Sequence, residues 1–223
     1  MTTTDPAPQR PRVAILISGR GTNMEAILAQ REQLPADIAL VVSSRADALG
    51  LTRAQEAGVP TLVVAGRDFA ERAAYDRALD AALRERGIEF VVLAGFMRIL
   101  TDELVAAWRG RMINIHPSLL PSFTGLHAQR QALAAGVRVA GCTVHFVEPG
   151  EVDGGAIIAQ AVVPVLPGDD EDALAARIQR EEHRLYPASL QALLDGRLRF
   201  DDGRVVASSP QEMIAISAHW PTN

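Results

Sequence analysis

Short, wholly apolar runs recur through the first half of the chain, and each is followed by a segment of helical length. Arg12 to Ser18 reads RVAILIS, Ile38 to Ser43 IALVVS, Thr61 to Ala65 TLVVA and Phe90 to Ala94 FVVLA. Runs of this length without polar alternation are typical of strands buried on both faces. Between them the pattern predicts a helix beginning over Met24 to Gln30. A second helix is entered through Ser44 to Asp47 and closed by Gly58; a third is capped by Asp68 and runs to about Arg86 before Gly87. Asp just ahead of a helix and Gly just past it satisfy backbone groups that the helix cannot satisfy itself. Thr101 opens a further helix, with Asp102 and Glu103 in its first turn, where carboxylates complement the dipole. Strands alternating with helices across short loops predict an α/β protein with a doubly wound, mostly parallel, Rossmann-like sheet.

The second half is less regular. Gly125 to Ala135 reads as a helix, and Gly141 to Val147 and Ala156 to Val165 as strands, the two forming an antiparallel addition to the parallel sheet. Asp170 to Asp195 is a long helix in which Pro187 predicts a break, because proline removes a donor and crowds the preceding turn. Residues 197 to 206 suit a two-stranded ribbon turning at Asp201-Asp202-Gly203. Residues 1–11 are polar and proline-rich, without a signal-peptide apolar stretch, and are expected to form a flexible leader. The sheet domain is then expected over 12–196, with a short ribbon and tail over 197–223.

Composition removes several classes of function. With 48% hydrophobic and 22% charged residues among 223, the chain can bury a sizeable core, while a net charge of -5 argues against a nucleic-acid surface. No apolar run approaches the roughly 18 residues that span a bilayer, so no membrane partner is expected. The single cysteine, Cys142, excludes an internal disulfide framework and a multi-cysteine zinc site, and suits the cytoplasm. The histidines His127, His145, His183 and His219 lack metal-ligand spacing, and no metal is expected. All 22 basic residues are arginine. Without lysine there is no Schiff base and no P-loop lysine, and anions must be held by arginine, hydroxyls or backbone N–H groups.

Four stretches carry chemistry. In Asn114-Ile115-His116-Pro117-Ser118-Leu119-Leu120-Pro121, strand alternation puts Asn114 and His116 on one side and Ile115 on the other, and Pro117 ends the strand. An amide and an imidazole at a carboxyl strand end suit polarising a carbonyl and moving a proton; a turn with one satisfied histidine is the alternative. Gly19-Arg20-Gly21-Thr22-Asn23 joins a strand to a helix start and fits a monophosphate, though it could be a plain tight turn; Met24 excludes the dinucleotide fingerprint. Gly95-Phe96-Met97-Arg98-Ile99-Leu100 could line a slot for a flat heterocycle, although, read alone, Phe96 and Met97 are more often core residues than ligand contacts. In Glu148 to Gly155 (EPGEVDGG), Asp153 could orient His116, or be a solvated turn residue.

Taken in order, GRGTN, VVLAGFMRIL, INIHPSLLPSF-GLHA and VHFVEPGEVDGG resemble the phosphoribosylglycinamide formyltransferases, over roughly Val13 to Leu198. The NIHPSLLP block is shared with other formyltransferases and with formyltetrahydrofolate deformylase. The GRGTN loop and Gly125-Leu126-His127-Ala128 separate this group from the methionyl-tRNA enzyme. The resemblance implies formyl transfer from 10-formyltetrahydrofolate to the amine of glycinamide ribonucleotide, with small-molecule substrates and a monomer or homodimer. It assigns catalysis to Asn114, His116 and Asp153, with Asn114 also contacting the folate. It assigns the ribonucleotide to Gly21, Thr22, Asn23, Gln179 and Glu182. The folate side falls to Arg72, Met97, Arg98, Ile99 and Leu100. The rival readings are the deformylase and a catalytically silent nucleotide-binding module.

Overall fold

The computed structural model of the protein describes residues 10–150, 152–212 and 218–219. Parallel strands β1 (Arg12–Ile17), β2 (Asp37–Ser43), β3 (Thr61–Val63), β4 (Phe90–Leu93) and β5 (Met112–His116) alternate with helices α1 (Thr22–Leu28), α2 (Leu49–Glu56), α3 (Arg72–Glu85) and α4 (Asp102–Ala107). Then follow α5 (Ala128–Ala135), β6 (Val139–Phe146), β7 (Ile157–Pro164), α6 (Glu171–Leu194), the ribbon β8 (Leu198–Asp201) and β9 (Arg204–Ala207), and the short β10 (Ala218–His219). Among the described residues the main sheet runs β10-β7-β6-β5-β4-β1-β2-β3, with β6 antiparallel to both β5 and β7. The doubly wound, mostly parallel sheet with its antiparallel addition is therefore as the sequence pattern predicts. The leader expected over residues 1–11 falls mostly on residues 1–9, which lie outside the described residues, as do 213–217 and 220–223 of the tail.

Strand alternation divides the core. Val13, Ile15 and Ile17 of β1 pack with α1 and α6 on one face, while Ala14 and Leu16 pack with Tyr75, Leu79 and Leu83 of α3 and Leu104, Val105 and Trp108 around α4 on the other. In β5, Ile113 and Ile115 join the first core and Met112 the second. Asn114 and His116 thus share the Met112 face.

Several element boundaries differ from the sequence expectation, for local reasons. Helix α1 starts at Thr22 rather than Met24, so Thr22 and Asn23 lie in its first turn, after Gly21 in the left-handed region (φ 74°). Asp68 does not cap α3: it ends a 3-10 turn, Gly66–Asp68, and the helix starts at Arg72 with no side-chain cap. Helix α5 starts at Ala128, not Gly125, because Gly125 and His127 both have positive φ. Pro187 does not break α6, which runs unbroken for 24 residues. Its buried Leu185, Tyr186 and Leu190 dock against the sheet core, and this packing outweighs the cost of about 3 kcal/mol for proline within a helix.

Tyr186 fixes that docking. Its hydroxyl lies 2.9 Å from the Leu93 carbonyl and 3.2 Å from that of Ile113, a bifurcated bond at the ends of β4 and in β5. Removing it in Tyr186→Phe leaves both carbonyls poorer by one buried donor, and is expected to cost about 1–3 kcal/mol. The shift in urea midpoint at unchanged m-value checks this.

Candidate active site

Strand order reverses at β1: β2 and β3 lie to one side, β4 and β5 to the other. The crevice at the carboxyl ends of such strands is where open α/β sheets bind ligands. Backbone bonds close its floor, with Ser18 N–H on the Gly95 carbonyl at 3.1 Å and Met97 N–H on Ser18 Oγ at 2.8 Å. Three of the four chemistry-bearing stretches therefore open into one place.

His116, the last residue of β5, is 5% exposed. Its Nδ1 lies 3.3 Å from Asp153 Oδ2 and its Nε2 2.9 Å from the Phe123 carbonyl oxygen. Both partners are acceptors, so this geometry suits the imidazolium, with an N–H donated at each end. Asp153 Oδ2 also accepts the Gly125 N–H at 2.7 Å. Phe123, His127 and Asp153 are non-glycine residues with φ of 58°, 59° and 58°. Such left-handed backbone costs about 1–3 kcal/mol per residue and concentrates at functional sites. Here two of the three, Phe123 and Asp153, bond directly to one histidine.

Electrostatics follow from this geometry. Burial lowers the His116 pKa, but the Asp153 carboxylate and the Phe123 carbonyl outweigh it, and the net shift is upward from 6.5. Burial raises the Asp153 pKa, but the bonds from His116 and Gly125 outweigh that, and the net shift is downward from 3.8.

Asn114 has a partner that spacing did not reveal. Its Nδ2 lies 3.1 Å from Nε2 of His145, which β5–β6 register places directly opposite. His145 Nδ1 lies 2.9 Å from the Phe146 carbonyl and 3.1 Å from that of Gly154. Carbonyls can only accept, so Nδ1 carries the hydrogen and Nε2 accepts from the Asn114 amide. Burial lowers the His145 pKa and favours this neutral form. The amide is thereby held with one N–H and its oxygen uncommitted by this contact. On the same face, Thr143 Oγ1 donates to the Ser118 carbonyl (2.7 Å) and accepts from Leu120 N–H (3.0 Å), bracing the loop behind His116.

The loop carrying Asp153 starts at the far end of β5. Phe146 is opposite Ile113, three residues below His116, so the chain must climb back across the face of β5 and β6. Its base is closed by Phe146 N–H on the Ala156 carbonyl at 2.9 Å. Gly155 sits there with φ 112°, and a Cβ at that position would overlap the Phe146 carbonyl oxygen.

At the β1 end, Gln179 Nε2 donates to Thr22 Oγ1 and Asn23 Nδ2 to Glu182 Oε2, both at 3.0 Å. Glu182 is 7% exposed; burial raises its pKa, and the Asn23 bond and His116 charge only partly offset this. Asn23 Oδ1 is buried with no partner among the described residues. Gly21 packs against Gly50, where a Cβ would meet Ile17 Cδ1 at 2.6 Å; no sequence signal singled out Gly50.

In the segment after β4 the apolar residues divide. Phe96 and Leu100 pack into the second core, whereas Met97 and Ile99 stay 70% and 55% exposed. The Arg98 guanidinium covers the Tyr75 ring at 4.1 Å. Arg72 is exposed in the first turn of α3, with no hydrogen bond or ion pair among the described residues, so no side-chain contact ties it to the cluster. The structure thus joins Asn114, His116 and Asp153, joins Thr22 with Gln179 and Asn23 with Glu182, and leaves Arg72 apart. No group of three His, Cys, Asp or Glu side chains suited to a metal occurs among the described residues.

Comparison with known proteins places these features in a group. Residues 11–190 match the family described as formyl transferase. The chain is 45% identical over 192 residues to phosphoribosylglycinamide formyltransferase of Escherichia coli (strain K12), covering 85% of this chain and 90% of that protein. It is 51% identical over 192 residues to the trifunctional purine biosynthetic protein adenosine-3 of Drosophila melanogaster, covering 84% of this chain but spanning only 14% of that longer protein. Among solved structures, glycinamide ribonucleotide transformylase 1 from Symbiobacterium toebii superposes with a TM-score of 0.87 at 48% identity, covering 91% of this chain and 96% of that one.

The two titrations of the His116–Asp153 pair have opposite consequences for stability. The raised His116 pKa contributes stability that is complete below 6.5 and lost as pH rises through the folded value. The lowered Asp153 pKa contributes stability present above 3.8 and lost as pH falls through its folded value. The stability difference between the protein and Asp153→Asn should therefore peak between about pH 4 and pH 6.5 and shrink above His116's folded value. Urea midpoints across pH test it; a difference that grows into the alkaline range would contradict the pairing.

Proposed function

The chain belongs to the formyl transferase family, and on that premise we propose that it transfers the formyl group of 10-formyltetrahydrofolate to the primary amine of glycinamide ribonucleotide, in de novo purine biosynthesis. The observation that carries this reading is the convergence of Asn114, His116 and Asp153 at the crevice beside the Thr22–Gln179 and Asn23–Glu182 pairs. A cytoplasmic enzyme acting on small molecules fits it. No helix among the described residues is long and apolar enough to cross a membrane.

The residues fit both substrates. Gly21, Thr22 and Asn23 offer backbone N–H groups and side-chain donors at the start of α1 for the phosphate, with Gln179 alongside; Glu182 suits the ribose hydroxyls. Met97 and Ile99 present apolar surface for the pterin, Leu100 backs them, and Arg98 and Arg72 provide cations for the carboxylate end. The folate supplies a formyl group on nitrogen, which leaves as an amine once protonated.

The nucleophile is the substrate amine, so no protein nucleophile is required. As the amine nitrogen bonds to the formyl carbon, negative charge grows on the formyl oxygen. Asn114 meets it with the N–H that His145 leaves uncommitted. His116 meets it by turning its Nε2–H from the Phe123 carbonyl toward that oxygen, while Asp153 retains Nδ1–H. Attack leaves an excess proton on the amine nitrogen, and cleavage of the old carbon–nitrogen bond requires one on the departing folate nitrogen. His116 delivers the second and recovers the first, so the site ends in its starting charge state.

Asn114→Ala or His116→Ala should lower kcat by about 10²–10³-fold with smaller changes in KM, in line with the loss of one donor to a developing oxyanion. Formyl loss from the folate, followed by absorbance, should require glycinamide ribonucleotide; formyl release to water at an equal rate without it would establish the deformylase reading instead. His145→Phe should lower kcat by about 10-fold on its own and by nothing further in an Asn114→Ala background, since residues acting as one unit are non-additive. Full additivity in that double-mutant cycle would remove His145 from the positioning of Asn114.

A further inference from the structure

Two contacts join the Asp153 loop to one short helix, α4. At its start, Asp102 Oδ1 accepts the Gly150 N–H at 2.9 Å. Just past its other end, Arg109 Nε donates to Glu148 Oε2 at 3.1 Å. The chain is thus held at 148 and at 150, three residues short of Asp153. The helix itself is well anchored: Leu104 and Val105 are buried in the second core, and Thr101 N–H donates to Asp76 Oδ2 at 2.6 Å. It starts two residues after Leu100, directly behind the segment that we assign to the folate.

Both ends of the Arg109–Glu148 contact are supported. The Glu148 side chain is 18% exposed, and its other oxygen, Oε1, is buried with no partner among the described residues. Its stem lies against Gly155, where a Cβ would meet Glu148 Cγ at 3.0 Å. The Arg109 guanidinium lies over the Phe200 ring of β8, 5.2 Å from its centroid, and Phe200 packs edge-on against Phe146 at 4.9 Å. Gly110 leaves room for that ring, since a Cβ there would come within 3.0 Å of Phe200 Cδ1. The ribbon therefore backs the arginine, the arginine holds the glutamate, and the glutamate lies on the residue that closes the loop. A planar cation already laid on a ring loses little freedom when it pairs with a carboxylate.

We propose that Asp102 and Arg109 are positioning residues for formyl transfer: acting through Gly150 and Glu148, they fix the Asp153 carboxylate against His116 and relative to the segment that receives the donor. The proposal rests on the reaction assigned above and adds to it two residues that act on the site from outside it. Small misplacements of a catalytic group are costly even when their cause is remote. His116 faces Asp153 on the loop, Glu182 on α6, His145 on β6 and the Phe123 carbonyl. Of these charged and titratable groups, it is Asp153 that the loop carries.

Asp102→Ala and Asp102→Asn both remove the carboxylate at the start of α4, but only the first removes the acceptor for Gly150. Asp102→Ala should lower kcat by about 5-fold, the size of one modest polar contact, and Asp102→Asn should restore most of it. Arg109→Gln should lower kcat by a similar factor and Arg109→Lys by less, with KM for both substrates within about 2-fold throughout. Added to Asp153→Asn, neither Asp102→Ala nor Arg109→Gln should cost anything further. A second readout needs no substrate: the His116 ring titration, followed by NMR, should move to lower pH in Asp102→Ala/Arg109→Gln, toward its position in Asp153→Asn. Should Arg109→Gln fold poorly, the two Asp102 variants decide, since they carry the same loss of charge. An unmoved His116 titration, or equal kcat in Asp102→Ala and Asp102→Asn, overturns the positioning role. Absence of formyl transfer in the unaltered protein would instead overturn the function proposed above, and the titration would still judge the positioning.

Discussion

One carboxylate oxygen, Asp153 Oδ2, takes hydrogen bonds from the His116 ring and from the Gly125 backbone, and so joins a strand end to two loops. The Gly154 carbonyl beside it accepts from His145, which in turn holds Asn114. The orientation of both catalytic candidates therefore depends on where the 147–156 loop rests. A carboxylate buried without these donors would be costly; with them it becomes the fixed charge about which the rest is arranged. Because His116 is gripped at both ring nitrogens by acceptors, its protonated form is favoured.

The absence of lysine gives the anion chemistry of the crevice a particular form. In the function proposed above, phosphate recognition would fall to amides, a hydroxyl and the start of α1, all short and directional. Carboxylates would fall to guanidinium groups, which keep their charge when partly buried and gain from a planar support. Arg98 has that support in Tyr75 and Gly66. A flexible ammonium could not be stacked there in the same way.

How much of this was legible in the sequence depended on whether the signal was local. Asn114 and His116 could be read because alternation within one strand sets their common face and Pro117 sets the end. The parallel sheet could be read because each strand was an uninterrupted apolar run. His145 could not, since its partnership exists only once β6 is in register with β5, and register is a non-local property. The same applies to Gly50, whose need for a bare Cα comes from Ile17 at the end of β1 and from the Gly19–Gly21 loop after it. Pro187 misled in the opposite sense: a strong local signal for a break was overridden by the docking of Leu185, Tyr186 and Leu190. Asp68 was a plausible cap by residue type alone, but the chain made one more turn before entering α3.

The climb of the 147–156 loop back across β5 and β6 has a mechanical meaning. The loop is clamped at the Phe146–Ala156 bond, tied along its length by Arg109 to Glu148 and by the Gly150 N–H to Asp102, and carries the Asp153 carboxylate about 10 Å along the strand direction. A rotation at that clamp would have to be taken up by the bonds that hold the carboxylate to His116 and Gly125. Gly155 is that clamp, and its backbone tolerates no side chain. The placing of the carboxylate beside His116 is thus governed partly at the opposite end of the strand, by a residue packed on the Phe146 carbonyl and not on His116.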